Sequence, residues 1–357
     1  MPEPQIVQTV AGSGNTVAGR DVNITHNYAA PQAADRANLL VLLGKVKSDW
    51  INGFLKQALH NQISLEVGKT FCAAEVQRPW DEVRETLEPP KEDLVAGKSM
   101  VEIYDATARA LLILGEPGSG KTIAMLKLAK ILVERAEENA NEPIPAILNL
   151  STWTDKMHGL FDWLALELSA RYYVGKRLAE SWLKEGRLAL LLDGLDEVQP
   201  EFQAGCVLAI NSFVKESGVP GLVVSCRTGE YRALNQKLNL NGAVVLQALA
   251  LENSSKYLAD CGPKVAGLMD AMRTDKELQE LASSPLMLHI MAIAYEGRAT
   301  DTIGREGEGS IARRKQELLD AYIEAAFERK KKLAQSYSKE QTLFWLRWLA
   351  DKALRQS

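Results

Sequence analysis

Leu111-Leu112-Ile113-Leu114-Gly115-Glu116-Pro117-Gly118-Ser119-Gly120-Lys121-Thr122 is the stretch whose reading decides the fold. Four apolar residues run without interruption into a glycine-rich turn, and a helical pattern begins near Lys121 and continues to about Ala136. Residues 115–122 match the phosphate-loop spacing GxxxxGK[ST], placed between strand and helix as that chemistry requires. Gly118 and Gly120 permit positive φ and close backbone approach, so successive amides can point into a concavity of phosphate size. Gly115, Glu116, Pro117 and Ser119 complete the cradle, and the following helix adds its positive end. Lys121 supplies a mobile charge for β- and γ-phosphates, and the Thr122 hydroxyl is a hard oxygen ligand for Mg²⁺.

Further apolar runs lie C-terminal to this stretch: Ile144–Leu150, Leu188–Leu192, Leu222–Ser225 and Ala243–Leu246, each separated from the next by helical pattern. Strands apolar on both faces predict an α/β fold, a parallel sheet flanked by helices, over residues 99–248. Leu188-Ala-Leu-Leu-Leu-Asp193-Gly-Leu-Asp196-Glu197 delivers a carboxylate to the strand end where ligands of such sheets lie, so Asp193 is a candidate Mg²⁺ ligand. Asp196 and Glu197 follow it, and either could orient or deprotonate an attacking water. Read alone, an acidic turn after a strand is a solvated loop; beside a phosphate loop the catalytic reading prevails. Leu222-Val-Val-Ser-Cys226-Arg227 ends in an arginine that can reach a γ-phosphate. Its alternative role is a surface pair with Glu230. No [NT]KxD segment for reading guanine is present, which favours ATP and ADP over GTP.

Outside the sheet region the texture changes. Residues 1–31 form a Gly/Asn-rich arm, read either as a flexible tail or as a β-ribbon that pairs with copies of itself. Residues 32–98 read as a helical region and connector. Leu39, Leu42, Leu43, Val46, Trp50, Phe54 and Leu55 make one amphipathic stripe, and Glu85–Lys98 is rich in proline and charge. Residues 249–303 carry helical periods broken at Gly262-Pro263 and at Ser284-Pro285, where Pro285 can open a helix. Helices are expected again from Ala312 to Lys332 and after the capping-box pattern Ser338-Lys-Glu-Gln341. The chain stops inside what reads as an unfinished helix, so it is expected to be a fragment of a longer protein.

Composition bounds the function. The 357 residues are 46% hydrophobic and 25% charged, which excludes wholesale disorder and suits two or three domains. A net charge of −4 is a poor field for gripping nucleic acid, and Arg329-Lys-Lys-Lys332, the one basic run, reads as solvated surface. Cys72, Cys206, Cys226 and Cys261, without a CxxC pair, read as reduced core residues. His26, His60, His158 and His289 are equally scattered, so no metal-ligand cluster of these types is expected. The longest uncharged apolar stretch, Leu281–Tyr295, is shorter than the roughly 18 residues that a membrane span needs. No secretory pattern opens the chain, and a soluble cytoplasmic protein is expected.

The phosphate loop, Asp193-Gly-Leu-Asp196-Glu197, the strand ending at Arg227 and Ser283-Ser-Pro285-Leu-Met-Leu288, in this order, resemble the NACHT family of STAND P-loop NTPases, above all bacterial members related to NOD-like receptors. Asn149-Leu-Ser-Thr-Trp153 and Gly229-Glu-Tyr231 are less distinctive matches, and the resemblance spans about 75 to 350. It implies phosphate and Mg²⁺ roles for Lys121 and Thr122, Mg²⁺ for Asp193, γ-phosphate sensing for Arg227 and a place beside the nucleotide base for Pro285. It also implies a helical domain after the sheet and the start of a winged-helix region at 304–357. The winged-helix histidine that binds ADP in the family has no counterpart here. The function so implied is a slowly hydrolysing switch that oligomerises on ATP exchange, for signalling in antiviral defence, with an effector and trigger that the sequence does not name. A continuously cycling AAA+-like ATPase and a non-hydrolysing nucleotide-bound module are the alternatives.

Overall fold

The computed structural model describes residues 29–58, 65, 67–77, 98–217, 220–300, 303, 311–330 and 337–356. The arm at 1–31, apart from its last three residues, and nearly all of the connector at 85–98 lie outside the described residues. The chain divides into two compact units, residues 1–41 and 42–357. In the first, the described residues form the start of helix α1 (Ala29–Val46).

Past Val46 the helix widens into a π-helical segment, Lys47–Leu55, and ends in the short turn α2 (Lys56–Ala58). The expected stripe assumes 3.6 residues per turn throughout. The wider turns insert a step of one extra residue after Val46, so Ile51 and Leu55 face the core while Phe54 is 48% exposed. Trp50 is half-buried, lies under the Arg171 guanidinium at 4.3 Å and donates its Nε1–H to the Tyr172 hydroxyl at 3.0 Å.

Six strands form one sheet: β1 (Lys69–Phe71), β2 (Ala110–Gly115), β3 (Ile144–Asn149), β4 (Leu188–Asp193), β5 (Leu222–Arg227) and β6 (Gly242–Leu246), in the order β1-β6-β2-β5-β4-β3. The five strands expected from the apolar runs are all present and mutually parallel. β1 was not expected, because three residues carry too little pattern to read. It pairs antiparallel with β6, so the sheet is mixed rather than wholly parallel.

Helices α3 (Met100–Ala106), α4 (Lys121–Glu138), α5 (Leu160–Tyr172), α6 (Lys176–Lys184), α7 (Pro200–Ser217) and α8 (Thr228–Ala233) cover the sheet. From β2 the chain crosses to the far edge at β3, walks back through β4 and β5, then passes over β2 to add β6. The two directions of travel, with right-handed crossovers, put α4 on one face and the mutually packed α5 and α7 on the other. Leu111 to Leu114 and Leu188 to Leu192 are consequently buried on both faces. At the open edge of β3, the buried Tyr172 hydroxyl accepts from Ile147 N–H at 3.0 Å and donates to Ile147 O at 2.9 Å, so this residue's backbone is paired.

Helices α9 (Leu251–Asp260), α10 (Ala266–Thr274), α11 (Lys276–Ala282), α12 (Pro285–Ala294) and α13 (Ile311–Lys330) gather around a second core that includes Tyr257, Leu268, Leu278, Leu288 and Leu318. α13, expected to open the region that follows, shares this core with α12, and Arg314 forms a buried ion pair with Asp275. Helix α14 (Lys339–Gln356) starts with the expected capping box: Ser338 N–H donates to Gln341 Oε1 and Gln341 N–H to the Ser338 hydroxyl. The side chains of Phe344, Leu346 and Trp348 stay exposed among the described residues. None of the four cysteines forms a disulfide, but only Cys206 and Cys226 are core residues; Cys72 and Cys261 are half-buried. No described helix is long and apolar enough to cross a membrane.

Candidate functional site

The C-terminal ends of β2, β5, β4 and β3 lie side by side. Gly115 is opposite Arg227 in the β2–β5 register, and Asn149 is opposite Asp193 in the β3–β4 register. The phosphate loop rises from the end of β2. Gly118 (φ +76°) and Gly120 (φ +90°) adopt the left-handed backbone that only glycine takes without strain. Ser119 N–H donates to Glu116 O, closing the turn, while Glu116 and Pro117 form its exposed tip. Gly115 allows close packing: a Cβ there would lie 2.4 Å from the Ser119 hydroxyl.

Lys121 begins α4 and reaches back over the loop, donating from Nζ to Gly115 O at 2.8 Å and Glu116 O at 3.2 Å. Burial holds its ammonium below the ordinary lysine range, with Asp196 as the leading opposing charge. Thr122 donates its hydroxyl hydrogen to Asp193 Oδ2 at 2.8 Å. The other oxygen, Asp193 Oδ1, accepts from the Ser225 hydroxyl at 2.5 Å, and Ser225 Oγ in turn accepts from Gly194 N–H at 2.9 Å.

The two acids past Asp193 are held differently. Asp196 accepts Arg227 N–H on Oδ1 at 3.0 Å and pairs with Arg227 Nε through Oδ2 at 2.9 Å. Its side chain is only 6% exposed. Arg227 also reaches Glu230 at 3.4 Å, so the pair weighed as its alternative role is present together with a second, closer partner. Glu197 folds back over Gly194, where a Cβ would meet its carboxyl carbon at 2.8 Å, and accepts from Asn149 Nδ2 at 2.8 Å.

Pro285 stands at the first position of α12. Its neighbours contact the phosphate loop: Leu286 N–H donates to Gly118 O at 3.2 Å and the Ser284 hydroxyl donates to the same oxygen at 3.4 Å. An amide of the first helical turn, which has no partner inside the helix, is thus satisfied by the loop.

These residues suit a nucleotide phosphate with Mg²⁺. The buried Ser119 hydroxyl has no hydrogen-bond partner among the described residues, the depressed Lys121 ammonium gains from an anion, and the α4 N-terminus has no side-chain cap. Thr122 and Asp193 offer two hard oxygens. Among the described residues no group of three His, Cys, Asp or Glu is arranged around a cation, so phosphate and water oxygens would complete the shell.

Sequence reading missed Ser225 and the partnership of Asn149 with Glu197. The signal for Ser225 was a lone hydroxyl in an apolar strand, two residues before Arg227 and therefore on the same face. Nothing in the spacing joins Asn149 to Glu197; only the register of β3 beside β4 does so.

No curated protein matches the chain. The family model of the NACHT domain matches residues 109–264, which run from the start of β2 through the phosphate loop, the acidic turn and Arg227 to the turn just past α9. Residues 109–264 are therefore a NACHT domain, and the sheet and loop that they build are those of a nucleotide-binding P-loop NTPase.

Proposed function

We propose that this chain is an ATP-dependent molecular switch that hydrolyses ATP slowly, with ADP holding the sheet and the following helices together and ATP exchange opening them for self-assembly. The observation that carries the reading is the placement of Arg227. Its guanidinium is shared between Asp196 and Glu230 at the end of β5, beside the β2 end that bears the phosphate loop. A γ-phosphate would compete for that guanidinium, so ATP and ADP would leave different sets of contacts behind, as a nucleotide-dependent equilibrium requires.

In this reading Lys121 binds the phosphates and Thr122 and Asp193 hold Mg²⁺, which when bound neutralises charge on the phosphate oxygens. Asp196 has both oxygens taken by Arg227 and serves as its holder. Glu197 keeps Oε1 without a hydrogen bond among the described residues and is the base for water. Pro285 is assigned a place beside the nucleotide base. The contact of Leu286 with Gly118 supplies a route from the phosphate loop to α12. A cytoplasmic location, an attached effector and a role in antiviral defence are carried over from the resemblance to bacterial NACHT proteins.

The test is the nucleotide content of freshly purified protein, released by denaturation and identified by chromatography. Near-stoichiometric ADP is expected, and its loss together with ATP-dependent assembly in Lys121→Ala. An empty site with rapid turnover of added ATP, or normal assembly of Lys121→Ala, would overturn the switch.

A further inference from the structure

We propose that Asn149 is a positioning residue for hydrolysis, which fixes the Glu197 carboxylate over Gly194 and leaves Oε1 as the acceptor for the proton of the attacking water. The inference rests on the reading of Glu197 as the base.

The polarity of the Asn149 amide is not free. Ser151 N–H donates to Asn149 Oδ1 at 2.7 Å, so that atom must be the acceptor and the opposite end must be the NH₂ that faces Glu197. The turn that carries Asn149 is itself anchored. Leu150 and Trp153 are buried, Trp153 meets Trp163 edge to face at 6.1 Å, and the Thr152 hydroxyl donates to Glu167 while accepting from Trp163 Nε1–H. Asn149 is therefore a rigid donor at the end of β3, level with Asp193 on the neighbouring strand.

Glu197 otherwise has the freedom of an exposed side chain on a short 3-10 turn. One hydrogen bond from Asn149 to Oε2 selects the rotamer in which the carboxylate fills the space that Gly194 leaves empty, directly past Asp193. A fixed base beside the candidate metal ligand meets the geometric demand of general-base chemistry. In the step it serves, the water oxygen bonds to the γ-phosphorus while its proton passes to Glu197 Oε1. The bond from that phosphorus to the bridging oxygen breaks, and ADP leaves with the electron pair.

Three variants of the full chain test this: Asn149→Ala, Asn149→Asp and Glu197→Gln, each measured for steady-state ATP turnover, affinity for a fluorescent ADP analogue and melting temperature. Aspartate keeps the oxygen that caps Ser151 but removes the donor and sets a carboxylate against Glu197. A purely structural role predicts that Asp preserves turnover better than Ala. The positioning role predicts the reverse: about tenfold slower turnover for Asn149→Ala, slower still for Asn149→Asp, with melting temperature no lower in Asp than in Ala and nucleotide affinity unchanged. Wild-type turnover in Asn149→Asp would overturn the proposal, as would faster turnover in Asn149→Ala, which would make the contact a restraint. Wild-type turnover in Glu197→Gln would instead remove the base assignment on which the proposal rests.

Discussion

Ser225 divides its hydroxyl between two neighbours: it accepts from Gly194 N–H and donates to Asp193. Both partners belong to the strand end that would hold Mg²⁺, and Ser225 is fully buried, so neither bond can be replaced by bulk water. Ser225→Ala is expected to cost about 1–3 kcal/mol in urea unfolding, because the Gly194 amide is left buried and unpaired. It should also weaken binding of a fluorescent nucleotide in Mg²⁺ while leaving binding in EDTA unchanged, since Asp193 loses orientation and Lys121 does not. At this scale the phosphate loop was legible because glycine, lysine and threonine each do a job that few residue types can do at fixed spacing. The supporting residues were not. Asn149 and Ser225 matter through partners 48 and 32 residues away, and sequence spacing carries no information about such pairs.

Among the elements, the buried parallel strands were readable as apolar runs since both faces are covered, and α12 was readable from the proline at its start. The π-helical segment was not, since the residues Lys47–Leu55 fit a regular helix equally well and the wider turn shows only in which side chains are buried. At the edge of β3, the backbone of Ile147 is paired by the Tyr172 hydroxyl. Tyr172→Phe removes the group that pairs with both the N–H and the carbonyl of Ile147 and accepts from Trp50. A loss of about 1–3 kcal/mol is expected in denaturant unfolding, with faster hydrogen exchange at the Ile147 amide than in the parent protein. A Tyr172→Phe protein with unchanged exchange at Ile147 would mean that this edge is closed by other means.

For the molecule as a whole, the link between the phosphate loop and α12 matters most. Gly118 has φ +76°, and a Cβ there would lie 2.9 Å from Ser284 Oγ and 3.1 Å from Leu286 Cβ. Gly118→Ala is expected to cost about 1–2 kcal/mol in the backbone alone and to push α12 off the loop. Of the seven tryptophans, Trp153, Trp163 and Trp182 are buried in the sheet region, Trp345 and Trp348 on α14 are already exposed, and residues 249–330 contain none. Fluorescence and far-ultraviolet circular dichroism should therefore unfold together in the parent and separate in Gly118→Ala. Coincident transitions in the variant would show that the loop does not couple the two cores.

Strand order also sets a timetable. β2 carries the phosphate loop, yet both its neighbours, β5 and β6, come roughly a hundred residues or more later in the chain, while β3 and β4 are built in between and pair with each other. A ribosome adding about 5–20 residues per second leaves β2 without a partner for several seconds, longer than most small domains need to fold. The site's parts mature together only when β5 arrives, bringing Ser225 and Arg227 to Asp193 and Asp196 in one insertion. The nascent chain thus cannot grip a nucleotide properly before the middle of its sheet is complete.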